Sequence, residues 1–584
     1  MAHIWRYIKR EPKLLFLNFI GAIFFVLINL GLPTILAEMI NEAIIPQKVN
    51  LLYFWSIIMI LVIIAGAAGR VLLSYASSKL TTLMIRDLRN DMFEKLQLYS
   101  HEEYEKIGVS SLVTRITTDA FVLMQFTEMT LRLGFNTPLM FLGSIIMIFT
   151  TSPSLAWILL AAMPFLIASI VWIAKKSRPI SKEQQESLDQ INQYARENLT
   201  GLRVIRAFSR EDFQADKFHQ ETNHYSQVAG RLFKLMGLAN PLFFHILIWM
   251  IILIMWFSLG PIEAGRLNIG VLVAFIEYAF HALFSIMMFS QLFMMYPRTN
   301  VSANRISEVL EMPISISPNE DGVTETETNG YLEFDNVTFA YPGETESPVL
   351  HNISFKAQPG QMVAFIGSTG SGKSTLVQLV PRFFDVTLGR ILVDGVDVRD
   401  YKLSALRQKI GYIPQKALLF TGTISENLRY GKYDASEKEL IRASDVAQAS
   451  DFIERTQEKY QTFLAEGGAN LSGGQKQRLS IARAIVKEPG IYVFDDSFSA
   501  LDYKTDAELR RRLSEITKHS TVLVVAQRIS SIRQADQIIV LNEGEIVGRG
   551  THEQLMAENK IYQEIAASQM KGDQLFKEGD EDHA

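Results

Sequence analysis

Four stretches of this chain, residues 14–37, 49–69, 133–174 and 235–262, contain no Asp, Glu, Lys or Arg. A helix needs about 20 apolar residues to cross a bilayer, so each stretch is long enough for one crossing and 133–174 for two. Within lipid the backbone must satisfy its own hydrogen bonds, which restricts this half to helices. No comparable stretch follows residue 312, where charge becomes dense. The 584 residues therefore read as a membrane domain over 1–315, a polar, turn-rich linker over 316–330, a soluble domain over 331–570 and an acidic tail over 571–584, expected to be frayed. The first stretch is too long for a signal-peptide core, so it is expected to be retained.

Six spans are expected, at about 14–44, 51–78, 122–151, 153–176, 233–260 and 268–297. Lys and Arg cluster before the first span and in the segments after the second and fourth, as in Arg86, Arg89 and Lys95, and in Lys175, Lys176 and Arg178. The opposite loops carry little beyond Lys48 and Arg266. This bias places both termini and the two long loops in the cytoplasm. Residues 79–120 and 177–232 keep helical apolar spacing with few Gly or Pro, so the membrane helices are expected to continue well past the bilayer. A net charge of −5 gives no nucleic-acid surface, and the absence of cysteine excludes disulfides and thiol chemistry.

Arg70, His245, Glu277 and His281 lie in or near apolar stretches, where an ionisable group is costly unless it faces a cavity or a partner. Glu277 and His281 are four apart and share a helix face. For Glu277 two readings stay open: a cavity site for cationic substrates or protons, or an interhelical pair that fixes packing. Packing is the favoured reading for the other three. Met287, Met288, Met294 and Met295 read the same way, as packing or lipid-facing residues.

In the soluble half, the apolar strand Met362–Ile366 runs directly into Gly367-Ser-Thr-Gly-Ser-Gly-Lys-Ser374. Strand, glycine loop and helix is the context a phosphate cradle requires. Gly367, Gly370 and Gly372 let backbone N–H groups converge, Lys373 reaches the β and γ oxygens, and Ser374 can ligate Mg²⁺. About a hundred residues on, Leu471-Ser-Gly-Gly-Gln475 opens a helix and supplies a second anion-binding N-terminus.

With both motifs in place, the chain resembles a half-transporter of the ABC exporter family. The resemblance implies a six-helix type IV exporter membrane domain fused to an α/β P-loop ABC ATPase domain. It also implies ATP and Mg²⁺ as cofactors, with Ser368, Thr369, Gly370, Ser371, Gly372, Lys373, Ser374 and Thr375 as the Walker A loop. Tyr341 resembles the aromatic that stacks on adenine, Gln415 the Q-loop residue and Asp495 the Walker B carboxylate. Mg²⁺ would then be held by Ser374, Gln415 and Asp495. Ser472, Gly473, Gly474 and Gln475 are similar to the signature that reaches the ATP of a second ATPase domain. Glu466 lies in the preceding segment, Ser499–Asp502 resembles the D-loop, and short coupling helices are expected near 110–119 and 208–217.

The chain departs from the family at two catalytic positions. Asp496 stands where such ATPases carry Glu, and Gln527 where they carry His. A general base must come within about 2.6–3.2 Å of its water, and Asp is one methylene short. Gln cannot take the charge that His can. The resemblance therefore implies a site that binds ATP and turns it over slowly, within a heterodimer with a second half-transporter that is catalytically competent. The implied activity is export of amphipathic drugs or lipid-like compounds across a bacterial plasma membrane. A homodimeric lipid flippase and an ATP-gated channel or regulator are the alternatives.

Overall fold

The structure, a computed structural model, describes residues 2–343 and 347–569; the tail over 571–584 lies outside them. By contact the chain divides into two units. One comprises 1–97 and 109–312, the other 98–108 and 313–584.

The first unit is built from six long helical stretches, Pro12–Ile44, Val49–Gln97, Val109–Thr151, Pro153–Thr200, Glu211–Glu263 and Ile269–Glu311. Each carries one expected span, and most run far beyond it. Val49–Gln97 has 49 residues, about 73 Å at 1.5 Å per residue, against a hydrocarbon layer of about 30 Å. The apolar part of this second stretch faces outward along its length. The sixth stretch forms the centre, with Phe275, Tyr278, Ala279, Ala282 and Leu283 at most 1% exposed.

Small residues and a few polar pairs set the helix contacts. Gly21 lies so close to the second stretch that a Cβ there would come 2.8 Å from the Leu73 nitrogen, the close approach that small residues allow between membrane helices. Nearby, the buried Asn18 amide donates to Ser77 Oγ at 3.0 Å. Further along, the Arg115 guanidinium pairs with Glu308 at 2.8 Å and donates to the Arg305 carbonyl at 2.8 Å. Ser302 donates to Asp119 at 2.6 Å. These bonds tie the third stretch to the sixth where both have left the apolar region.

The short helices expected near 110–119 and 208–217 lie upstream of those positions. Residues 109–119 open the third long stretch and Glu211–Gly237 leads into the fifth. The short helices are His101–Ile107 and Leu202–Ala207. Ser100 and Glu103 form a capping box at the start of the first, and Gly108 at φ 82° ends it. Gly201 precedes the second, and Ser209 at φ 50° turns the chain after it. The segment 98–108 belongs with the soluble unit. Glu103 Oε1 accepts from the Ser315 amide at 2.7 Å, and the His101 ring meets Phe384 edge-on at 5.7 Å.

The second unit holds twelve strands among the described residues: β1 Leu332–Phe339, β2 Leu350–Ala357, β3 Met362–Gly367, β4 Leu388–Val393, β5 Val396–Asp397, β6 Ile410–Ile413, β7 Gly422–Thr423, β8 Phe463–Leu464, β9 Ile491–Asp495, β10 Thr521–Val525, β11 Gln537–Asn542 and β12 Glu545–Gly550. One sheet has the order β2-β1-β4-β5 and is antiparallel. A second has the order β12-β11-β3-β10-β9-β6, parallel except for β12 at its edge, and β7 pairs with β8 as a two-stranded antiparallel sheet. The inner strands of the second sheet are buried on both faces, and so read as continuous apolar runs such as Val522–Val525. The linker lies along this unit: the Val323 amide donates to the Asp400 carbonyl at 2.9 Å. The Gly330 and Tyr331 amides donate to the Asp394 carboxylate at 2.7 and 2.9 Å.

Candidate functional site

The parallel register gathers residues that are far apart in sequence. Phe365 of β3 lies beside Val525 of β10, Val525 beside Asp495 of β9, and Phe494 beside Ile413 of β6. All four strands end at the same edge. The chain segments leaving them carry the glycine loop, Asp495 and Asp496, Gln527 and Gln415. In open α/β sheets this carboxyl edge is where ligands bind.

After β3 the chain makes the loop and enters the helix Lys373–Leu379. Gly372 caps that helix at φ 90°, and a Cβ there would come 2.6 Å from Leu350 Cδ2. Both the conformation and the space require glycine. Ser368, Thr369 and Gly370 are exposed at the mouth, while Ser371 and Thr375 are buried. Lys373 Nζ donates to the carbonyls of Gly367 and Ser368 at 3.0 and 2.7 Å, and to Ser371 Oγ at 3.2 Å. Burial holds the Lys373 ammonium below its ordinary pKa, and the carboxylates of Asp496 and Asp495 oppose that shift. A cation folded into a ring of carbonyls, beside helix N–H groups that have no intrahelical partner, matches the chemistry of a triphosphate.

Ser374 Oγ donates to Asp495 Oδ1 at 2.7 Å, and the Tyr412 hydroxyl donates to Oδ2 at 3.0 Å. Burial, followed by the neighbouring Asp495 charge, pushes the Tyr412 phenol well above its ordinary pKa. A serine hydroxyl and a carboxylate in contact form an all-oxygen pair, the donor type that Mg²⁺ takes. The residues therefore fit both groups. Ser374 and Asp495 would hold the cation, which when bound supplies charge neutralisation to the phosphates.

Asp496 sits one residue past β9 at φ 49°, a left-handed conformation that Asp tolerates. The residue is only 6% exposed. Oδ2 accepts from Gln527 Nε2 at 2.6 Å and from Gln415 Nε2 at 3.1 Å. Burial raises its pKa, and the Gln415 and Ser499 hydrogen bonds oppose the rise. The two altered residues of the sequence are thus in direct contact, and the Q-loop amide joins them on one oxygen.

Tyr341 is half-buried, with its hydroxyl 3.0 Å from Thr375 Oγ1 and its ring edge-on to Phe339 and Phe384 at 5.0 and 5.4 Å. Ser472, Gly473, Gly474 and Gln475 form the start of the helix Gly473–Val486. Ser472 Oγ accepts from the Gln475 amide at 3.3 Å, and Gln475 Oε1 accepts from the Ser472 amide at 2.8 Å. Ser472 and Gly473 are exposed, as is Glu466 just upstream. Among the described residues no hydrogen bond joins this turn to the Walker A loop, Asp495 or Asp496. The nearest link in the bonding pattern is Gln477, which donates to the Pro414 carbonyl beside Gln415 at 3.2 Å.

Two further residues shape the site. Tyr412 stands three places before Gln415 in the same strand exit, a signal that spacing alone offers. Gln569 gives no such signal. Its amide donates to the Gln527 carbonyl at 2.6 Å and accepts from the Ile529 amide at 2.8 Å, which pins the loop that presents Gln527.

In the first unit Glu277 and His281 part company. Glu277 is exposed, and His281 lines a cavity with Arg70. His245 accepts from Trp249 Nε1 at 3.0 Å and borders an apolar groove with Phe165 and Trp157.

Six membrane-length helices joined in one chain to a P-loop ATPase fold define a type IV ABC exporter. Residues 15–287 match the ABC transporter transmembrane region, and residues 350–499 match the ABC transporter family. The chain is 38% identical over 576 residues to an uncharacterised ABC transporter ATP-binding protein of Mycobacterium tuberculosis, covering 97% of each. It is 35% identical to the uncharacterised ABC transporter ATP-binding protein YfiB of Bacillus subtilis, covering 93% of this chain and 94% of the relative. It is 32% identical to an ATP-dependent lipid A-core flippase of Syntrophus aciditrophicus, covering 85% and 82%. A solved bacterial Atm1-family ABC exporter with ATP bound shares the fold at a TM-score of 0.76 and 24% identity, covering 94% of this chain and 98% of that one. The chain belongs to the ABC transporter family, as an exporter half-transporter with an ATP-binding domain and a multi-pass membrane domain.

Proposed function

We propose that this chain is the slow-site subunit of a heterodimeric ABC exporter. It binds Mg·ATP at its own Walker residues, Ser368 to Thr375, with Tyr341 against the base and Ser374, Gln415 and Asp495 around the cation. It lends Ser472 to Gln475 to a second site whose base belongs to a competent partner. The observation that carries this reading is the clamp on Asp496. The carboxylate is one methylene short of the usual base and already holds two amides on one oxygen. A base that is short and occupied is poorly placed to take a proton from water. The exporter sits in a bacterial plasma membrane with both termini cytoplasmic, and moves amphipathic compounds outward. Similarity to lipid A-core flippases supports lipid-like molecules within that class.

The intact mass of the complex, purified from its native membrane through a tag on this chain, tests the assembly. One copy of this chain with one different half-transporter supports the proposal. Two copies of this chain overturn it and favour the homodimeric flippase.

A further inference from the structure

The chain passes between the two units three times, between residues 97 and 98, 108 and 109, and 312 and 313. The first two passages flank the short helix His101–Ile107, and the third follows the sixth long helix. One acidic side chain joins these passages. Glu103 is 3% exposed and Ser100 9%. Glu103 Oε1 accepts from the Ser315 amide at 2.7 Å. Its Oε2 accepts from the Ser100 amide at 2.7 Å and from the Ser100 hydroxyl at 2.5 Å. The Ser100 and Ser315 hydroxyl oxygens lie 2.7 Å apart. Ser100 has one hydroxyl proton and gives it to the carboxylate, so Ser315 donates in that second bond. The amide and the hydroxyl of Ser315 are therefore both engaged by the start of the short helix.

The place calls for a group that only accepts. Three donors face the carboxylate, and a Gln amide would turn its own N–H groups on at least one of them. Burial opposes the charge of Glu103, but the bonds from Ser100 and Ser315 outweigh it and hold the carboxyl below its ordinary range. Hydrogen bonds to a carboxylate at such lengths are the strong kind. A charge-assisted bond shifts an equilibrium roughly ten- to a hundredfold and a neutral one about fivefold. With one of each reaching Ser315, the closed form is favoured by at least roughly fiftyfold. The helix is also seated on the soluble unit. The His101 ring meets Phe384 edge-on at 5.7 Å, and Phe384 meets Tyr341 at 5.4 Å. Ile316, which follows Ser315, is 4% exposed and anchors the chain on that side.

We propose that Glu103 is a positioning residue for the coupling of ATP to transport. It clasps Ser315 through the whole cycle, so the short helix and the chain that follows the sixth long helix move as one body. A movement of the ATPase domain is then delivered together to the second, third and sixth long helices, which adjoin the three passages. Without the clasp each passage yields separately. The proposal rests on membership in the exporter family alone, and holds whatever the partner or the substrate.

The chain has no cysteine, so a covalent link can stand in for the clasp. The test uses the full chain in its native complex, carrying Ser100→Cys with Ser315→Cys and either oxidised with copper phenanthroline or kept reduced. The link is expected to form with and without Mg·ATP, and ATP hydrolysis by the oxidised complex to stay within about threefold of the reduced one. Hydrogen exchange reads the coupling. In the unaltered complex Mg·ATP is expected to alter exchange at residues 109–119 and 299–311. Glu103→Ala leaves the affinity for Mg·ATP unchanged but removes about half or more of that response at both segments, and the cysteine link added to Glu103→Ala restores it. A merely structural role would change exchange equally with and without nucleotide. Failure of the link to form, or a loss of hydrolysis beyond about threefold on oxidation, overturns the proposal. So does an unaltered complex with no response to Mg·ATP, or a response that Glu103→Ala leaves intact or that the link does not restore. Should Glu103→Ala fail to fold, the cysteine pair alone decides, through hydrolysis with the link closed.

Discussion

Restoring the two departures at the ATP site is predicted to be strongly non-additive. Asp496→Glu extends the carboxylate by one carbon–carbon bond, about 1.5 Å. The Gln527 amide already lies 2.6 Å from the shorter carboxylate, closer than the usual N–H···O separation. The longer side chain has no room until that amide moves, so the single change recovers little. Gln527→His alone leaves the base withdrawn, and a displacement of about 1 Å costs on the order of 10²-fold. Each single variant is therefore expected within about threefold of the parent, so that the product of the two stays near tenfold. The double variant is expected about 10²- to 10³-fold faster, or roughly 2.7–4 kcal/mol of barrier. The coupling between the two positions should reach at least about 1.4 kcal/mol, a factor of ten beyond the product of the singles. The assay is steady-state ATP hydrolysis by the four purified chains in one lipid mixture. If Asp496→Glu alone matches the double variant, the clamp by Gln527 does not limit the site. If none of the changes raises the rate, the reasoning about both residues fails.

Three smaller effects follow from the same geometry. Ser374→Ala removes the hydroxyl that meets Asp495 at 2.7 Å. At about 1.5–3 kcal/mol for a charge-assisted bond, it should weaken Mg²⁺-dependent ATP binding about tenfold or more in titration calorimetry, and leave binding in excess chelator unchanged. Tyr412→Phe leaves Asp495 Oδ2 short of its 3.0 Å donor. That should cost about 1–3 kcal/mol and lower the thermal unfolding midpoint of the soluble unit by several degrees; an unchanged midpoint contradicts the bond. Gln569→Ala frees the loop at Gln527 and Ile529, so hydrogen exchange should quicken at those amides while β10 stays protected.

What was legible in the sequence was local. The spans are anchored on long apolar runs, four of them free of charge, and the phosphate loop is a contiguous strand, glycine turn and helix start. Both can be read without knowing what lies beside them. The short helices were expected several residues too far along the chain, because their ends are not marked by apolar spacing, which residues 109–119 share with the span they lead into. The breaks depend on Ser100, Gly108 and Ser209 adopting particular backbone angles. Spacing puts Glu277 and His281 on one helix face, but helix rotation sends only His281 to the cavity and brings in Arg70 and Arg132 from two other helices. The contact between Asp496 and Gln527 arises from the alignment of β9 with β10, and the grip of Gln569 on the same loop from packing 42 residues away. Pairings across the sheet are fixed by register, which no single stretch of sequence displays.

The central claim is that this chain holds ATP at its own Walker residues without promptly consuming it. A single-turnover experiment tests that most directly. Purified chain in excess is mixed with γ-labelled Mg·ATP, quenched over minutes, and the bound nucleotide is separated from released phosphate. The account predicts that the label stays bound as ATP through that interval, and that the double variant Asp496→Glu and Gln527→His releases it as phosphate about 10²-fold sooner or faster still. Prompt release of phosphate by the unaltered chain, at the same rate as the double variant, would contradict it.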